Sequence, residues 1–286
     1  MGNVFLKNCC DGIYNSFDVH FTSACDNKCM YCIDNKYKGL NICKPNIEAI
    51  SNIIIKNKEG YEDVLFLGGE PCLYLQKLID CINLIKKDSK LKIFVTTSVP
   101  KICHDKKESF KELIRLVDGI NISAQHYREV VADEMRGVKS KYDRQDFYNN
   151  LPYKNKIRIN LNIVKPHLYI KEDIKECLMH YDKMKFNSIK ITEIQHTENQ
   201  FVSFEKIFNI KLPSPFYGGC QKYLNMNDII PNFKTPVLLK RSCFVCEESL
   251  KASFQDGVKI IYKLFKKSSN KYGVVYEDGT IKRRWI

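Results

Sequence analysis

The residues best able to do chemistry stand close together near the start of the chain. Cys25-Asp26-Asn27-Lys28-Cys29-Met30-Tyr31-Cys32 sets three thiols within eight residues. Three thiolates on one loop can wrap an iron–sulfur cluster and leave one of its irons without a protein ligand. That open iron is the chemical point, because a ligand carrying an amine and a carboxylate can chelate it within reach of an electron. A structural zinc site asks for four ligands, usually in two separated pairs, and this spacing does not supply them. The chain holds thirteen cysteines. An odd count in a chain that reads as cytosolic points away from disulfides, since a reducing compartment keeps thiols free. Clustered cysteines then read as metal ligands. Scattered ones (Cys9, Cys10, Cys43, Cys72, Cys81, Cys103 and Cys177) read mostly as buried side chains.

Two further groups could carry chemistry. Val64-Leu65-Phe66-Leu67-Gly68-Gly69-Glu70-Pro71 is an apolar run ending in two glycines and a carboxylate. A Gly pair at a strand end lets a ligand approach the backbone, and Glu70 offers a carboxylate to an ammonium. Toward the other end, Cys220 follows Gly218-Gly219, and Cys243-Phe244-Val245-Cys246 forms a CxxC. Cys220, Cys243 and Cys246 are candidates for an auxiliary cluster, with a redox pair, a cysteine hydrogen donor or buried structural thiols as alternatives.

The elements that must position these groups follow from periodicity. Strand-like runs at 18–22, 64–67, 92–97, 120–124, 157–164 and 188–194 alternate with helix-like runs at 46–58, 73–87, 107–117 and 171–181. A longer polar excursion, reaching about residue 145, follows the fourth strand. Repeated strand–helix units imply parallel strands with right-handed crossovers, and chemistry at the C-terminal strand ends where the loops converge. Beyond Gln195 the rhythm stops, and Pro213, Pro215, Pro231 and Pro236 punctuate an irregular stretch. A helix over 248–266 follows, then a hairpin turning on Asp278-Gly279. The expected fold is α/β: a partial (βα)6 TIM-like barrel with a C-terminal irregular α+β extension. Residues 1–16 form an N-terminal extension, 17–200 the barrel, and 201–286 the substrate and auxiliary-cluster region.

On these motifs the chain resembles the radical S-adenosylmethionine (SAM) superfamily. The likeness rests on CxxxCxxC after the first strand, with the aromatic Tyr31 before the third Cys. It rests also on Gly68-Gly69-Glu70-Pro71, about forty residues later at the end of the second strand. The resemblance covers residues 17–195. It implies a 4Fe–4S cluster on Cys25, Cys29 and Cys32, with SAM on the open iron. Tyr31 would lie near the adenine, and Gly68, Gly69 and Glu70 would hold the methionine amino group. Ser123 and Gln125 would reach the SAM carboxylate and ribose, while Asn162, Val164 and Glu193 to Gln195 would flank the adenine. The implied reaction is reductive cleavage of SAM to methionine and a 5′-deoxyadenosyl radical, which takes a hydrogen from substrate. The electron would come from an external one-electron reductant of flavodoxin or ferredoxin type. The Cys220, Cys243 and Cys246 set makes the chain resemble the molybdenum-cofactor GTP-cyclising type more than other types. There, however, the CxxC precedes the lone Cys.

Composition narrows the substrate less. The chain has 286 residues, 44% of them hydrophobic, and a net charge of +13. No run of eighteen apolar residues reads as a membrane span, and no secretory signal opens the sequence, so a cytoplasmic protein without a membrane partner is expected. Residues 201–286 hold fifteen Lys and Arg against seven Asp and Glu, a net of +8. This reads either as solvated lysines or as a basic surface for an anionic partner. Lys240, Arg241 and Lys282-Arg283-Arg284 would then face the substrate. The leading expectation is a small anionic metabolite or nucleotide as substrate. Alternatives are a maturase acting on a ribosomally made peptide and a viperin-like nucleotide dehydratase, which His20-Phe21-Thr22 resembles. A non-catalytic iron–sulfur protein binding nucleic acid is the remote alternative, and the Gly-Gly-Glu-Pro element speaks against it.

Overall fold

The computed structural model describes residues 16–32, 44–193, 202–210, 221–224, 226–240, 272–275 and 281–282. Six strands lie side by side in chain order, and every neighbouring pair is parallel. They are β1 (Ser16–His20), β2 (Asp63–Leu67), β3 (Lys92–Thr97), β4 (Gly119–Ser123), β5 (Ile157–Ile163) and β6 (Ser188–Glu193). Parallel neighbours need crossovers. These carry α1 (Ile47–Lys56), α2 (Leu75–Asp88), the pair α3 (Lys101–Asp105) and α4 (Lys107–Leu116), the pair α5 (Glu129–Arg136) and α6 (Arg144–Asn149), and α7 (Lys171–Lys183).

Local chemistry explains where these helices start and which side they bury. Asn46 Oδ1 accepts the Ala49 N–H at 3.0 Å and caps α1, which buries Ile50 and Ile54. The α2 helix buries Leu75, Leu78, Ile79, Ile82 and Ile85, a spacing that keeps all five on one face. Strands covered on both sides lose the alternation of apolar and polar residues, and β4 buries four residues in succession.

The sheet does not stop at six strands. Beyond α8 (Phe204–Phe208), β7 (Gln221–Leu224) pairs antiparallel with β8 (Val237–Lys240), and β8 adds parallel to β6. At the opposite end β9 (Tyr272–Val275) adds parallel to β1, and β10 (Ile281–Lys282) pairs antiparallel with β9. The order is β10-β9-β1-β2-β3-β4-β5-β6-β8-β7. The α/β partial barrel expected from the sequence is therefore present, with a parallel strand added at each end.

One expectation is corrected. The stretch after Gln195 is not wholly irregular, because Val237-Leu238-Leu239-Lys240 is a strand paired with β6. Four residues directly after Pro236 are too few to stand out by pattern, and it is the partner strand that makes them one. The polar excursion before Gln145 holds α5 and the start of α6. Its helices escaped notice because α5 buries Ala132, Met135 and Arg136 rather than an apolar stripe. The helix expected over 248–266 and the Asp278-Gly279 turn lie outside the described residues. Among the described residues no helix is long and apolar enough to cross a membrane.

Candidate functional site

Because β1 to β6 run the same way, their C-terminal ends fall on one side of the sheet, and the sequence motifs gather there. The cysteine loop leaves β1 and is fastened at once to the turn that follows β2. Phe21 N–H donates to Leu67 O at 2.9 Å, Gly69 N–H to Thr22 O at 2.7 Å, and Glu70 N–H to Ala24 O at 2.8 Å. A Cβ on Gly69 would stand 2.3 Å from Ala24 O, and one on Gly68, at φ +124°, would stand 2.7 Å from Thr22 O. The space that the missing side chains leave is thus taken by the cysteine loop's own backbone. Farther along, Lys28 N–H donates to Arg136 O at 2.7 Å and Cys32 N–H to Cys29 O at 3.1 Å, so the loop also rests on the end of α5.

Cys25 is exposed, Cys29 and Cys32 are half-buried, and none of the three is in a disulfide. Partial desolvation, with Glu70, Asp26 and Cys29 nearby, raises the Cys25 thiol although the Asn27 N–H opposes the shift. Burial and Cys32 also raise Cys29, while Arg136 pulls it down. These sulfurs resist becoming anions until a cation compensates them, and coordination to metal does so outright. Among the described residues no three His, Cys, Asp or Glu side chains are grouped as ligands of a single ion. A cluster asks for something different, one thiolate for each of three irons, and a loop with three separated thiols fits it.

Glu70 is 2% exposed and its carboxylate is fully engaged. Oε1 accepts from Cys72 N at 3.0 Å and from Thr97 Oγ1 at 2.6 Å. Oε2 accepts from Ser98 N and Ser98 Oγ, both at 2.6 Å. Burial raises its pKa and these four hydrogen bonds oppose the rise. The carboxylate that the sequence offered to an ammonium is here bonded to β3 and to the turn after β2.

The other expected positions divide. Burial holds the Tyr31 phenol well above its usual value, with Cys29 adding to the rise and the Asn162 amide opposing it, so both groups lie in its neighbourhood. Asn162 Nδ2 donates to Gln125 Oε1 at 3.1 Å. Tyr31, Asn162 and Gln125 are therefore brought together from the cysteine loop, β5 and the end of β4. Ser123 ends β4, and its carbonyl lies 3.5 Å from Arg136 Nη2. Val164 closes a tight turn by exchanging backbone hydrogen bonds with Leu168 at 2.9 Å. Glu193 Oε1 accepts from Phe204 N at 2.7 Å, fastening β6 to the start of α8. Lys240 ends β8. Gln195, Cys220, Arg241, Cys243, Cys246, Arg283 and Arg284 lie outside the described residues.

Sequence reasoning missed Arg136. Its side chain is 1% exposed beside the cysteine loop, and Nη2 donates to Ala124 O at 2.7 Å. Its Nε and Nη1 have no hydrogen-bond partner among the described residues, and the nearest carboxylates, Glu129 and Asp133, stand 3.8 and 3.9 Å from Nη1. Those carboxylates sit closer to Arg144, at 3.1 and 3.2 Å. A buried guanidinium with unused donors suits an anionic group such as a carboxylate. One arginine in a polar stretch carries no sequence signal of this kind.

Comparison with known proteins adds to the geometry. The family profile described as Radical SAM superfamily matches residues 19–178. The chain is 26% identical over 165 residues to the tRNA-2-methylthio-N(6)-dimethylallyladenosine synthase of Vesicomyosocius okutanii subsp. Calyptogena okutanii (strain HA). That match covers 54% of this chain and 35% of the relative. Streptococcus suis SuiB bound to S-adenosylmethionine is similar in structure, with a TM-score of 0.64 at 15% identity, over 96% of this chain and 60% of SuiB. SuiB bound to its precursor peptide SuiA gives 0.64 at 16% identity, with the same coverage. Native anSMEcpe with bound AdoMet gives 0.53 at 15% identity, over 94% of this chain and 74% of that protein. The chain thus spans about a third of the curated relative and 60% of SuiB.

Proposed function

Because the chain belongs to the radical SAM superfamily, an enzyme family built on a 4Fe–4S cluster and SAM, we propose that it is a maturase acting on a ribosomally made peptide. The observation that carries the peptide reading is the match of nearly the whole chain to the SuiB fold, which has been seen holding a precursor peptide. A second reading, a small anionic metabolite or nucleotide, draws on the +8 charge of residues 201–286. The likeness to the GTP-cyclising type depends on Cys220, Cys243 and Cys246 and gains no support from these similar proteins.

In this reading Cys25, Cys29 and Cys32 would hold the cluster, one thiolate to each of three irons, leaving one iron open to SAM. Bound together and reduced by an external one-electron donor, cluster and SAM would supply hydrogen-abstracting radical chemistry. The chain's own residues bind and orient. Arg136 offers Nε and Nη1 to the SAM carboxylate, the one full negative charge of the ligand, from a site dry enough to make the pairing strong. Tyr31, Asn162 and Gln125 line the neighbouring wall with hydrogen-bonding groups for the nucleoside. Ser123, whose carbonyl lies 3.5 Å from Arg136 Nη2, ends β4 next to that guanidinium.

The deciding experiment supplies reduced, reconstituted protein with SAM and, separately, a short precursor peptide encoded beside its gene and a panel of nucleotides. The proposal expects 5′-deoxyadenosine in every case and a change of peptide mass of one or more hydrogens. A mass change confined to a nucleotide would favour the second reading, and absence of 5′-deoxyadenosine from cluster-loaded protein would remove both.

A further inference from the structure

Asn27, Thr97 and Ser98 take no part in the binding scheme above, yet they form the most complete polar network near the cysteines. Glu70 lies at its centre. Two of its four donors are backbone N–H groups, Cys72 N on one oxygen and Ser98 N on the other, and these cannot act as acceptors. Each oxygen then takes one hydroxyl as well, from Thr97 and Ser98. A carboxylate has about four acceptor sites, so Glu70 has none left for an ammonium.

The network has a direction. Since the Ser98 hydroxyl spends its hydrogen on Glu70 Oε2, its oxygen must accept from the next partner, and Asn27 Nδ2 lies 2.7 Å away. The Asn27 amide is thereby fixed with its NH2 toward Ser98. Fixing that side chain fixes the loop that carries it, and the Asn27 backbone N–H points at Cys25 Sγ, 3.4 Å away. A continuous line therefore runs from the first cysteine through Asn27 and Ser98 to a buried carboxylate that also grips β3.

We propose that Asn27, Ser98 and Glu70 form a brace that holds the Cys25 end of the cysteine loop, aims the Asn27 N–H at the Cys25 sulfur, and so sets the retention and reduction potential of the cluster bound there. The proposal rests on the reading that Cys25, Cys29 and Cys32 are the cluster ligands. It assigns Asn27 and Ser98 as positioning residues and gives Glu70 the loop, not the SAM amino group, as its partner. An N–H aimed at a ligating sulfur stabilises the reduced, more negative cluster, so losing it lowers the potential.

The test uses anaerobically reconstituted full chain as wild type, Asn27→Ala, Ser98→Ala and Ser98→Thr. Three quantities are measured: the rate at which a chelator strips iron, the midpoint potential followed by electron paramagnetic resonance, and the SAM dissociation constant. Loss of one neutral hydrogen bond should speed iron loss by about three- to tenfold in the two alanine variants. Their potentials should shift negative, Ser98→Thr should restore both readouts by keeping the hydroxyl, and SAM affinity should change less than iron loss. Wild-type iron loss and potential in both alanine variants overturn the brace. So does a large loss of SAM affinity with an unmoved potential, which would return Glu70 and Ser98 to the ligand. Should Ser98→Ala fail to fold, Asn27→Ala decides alone, because Asn27 lies on the loop outside every strand and helix. A wild-type chain that takes up no iron overturns the cysteine-loop reading itself, a result distinct from normal wild type with indifferent variants.

Discussion

Glu70 Oε2 accepts both the backbone N–H and the hydroxyl of Ser98, each at 2.6 Å. That double bond of partners locks the turn after β2 to the end of β3. Because Glu70 N–H also donates to Ala24 O, the cysteine loop joins the same unit. A displacement of any one of these three segments is felt by the other two.

Replacing Cys25, Cys29 and Cys32 together by Ala should remove about four irons from anaerobically reconstituted protein. Iron that remains would be assigned by a second variant lacking Cys220, Cys243 and Cys246. An unreduced iron content in the first variant would place the cluster ligands elsewhere.

Arg136→Gln should weaken SAM binding by roughly 10- to 100-fold, the usual worth of a buried charge-assisted hydrogen bond. The thermal midpoint of the ligand-free chain should move little, because Arg144 already satisfies Glu129 and Asp133. Equilibrium dialysis alongside a melting curve separates the two effects. A collapse of the melting temperature with unchanged affinity would make Arg136 a structural residue only.

Gly69→Ala should destabilise the chain by about 3 kcal/mol, since its new methyl would stand 2.3 Å from Ala24 O and only backbone movement can relieve that. Denaturant unfolding measures the loss. Wild-type stability in this variant would mean that the cysteine loop does not sit against the turn.

Stability should depend on His126, which is 0% exposed. Its Nδ1 accepts the Arg128 N–H at 2.9 Å, so binding a proton there would break a hydrogen bond. Desolvation and the Arg128 charge lower its pKa from 6.5 to about 4, with Asp173 and Glu176 opposing. A folded pKa below the unfolded one means that the unfolded chain binds more protons between these values. Its contribution is complete above pH 6.5 and is lost as pH falls toward 4, at most about 3 kcal/mol. His126→Asn, which keeps an acceptor near Nδ1, should flatten that part of the pH–stability curve. An unchanged slope would assign the titration to other groups.

The sequence by itself determined the parallel α/β core, because the helix-spaced apolar residues of α1 and α2, the apolar run of β2 and the alternation of β5 are local patterns. It also singled out the cysteine loop and the Gly-Gly-Glu-Pro turn as the candidate chemical centre, since their spacing is read directly along the chain. Tertiary structure alone decided what those groups touch. Gly69 meets Ala24, Glu70 meets Ser98, Asn27 reaches a residue 71 positions away, and Arg136 is buried beside Cys29. It likewise turned four residues after Pro236 into an added strand of the sheet. Such contacts join segments far apart in the chain, and a hydrogen bond or a buried charge depends on the partner's position in space, which local periodicity does not encode.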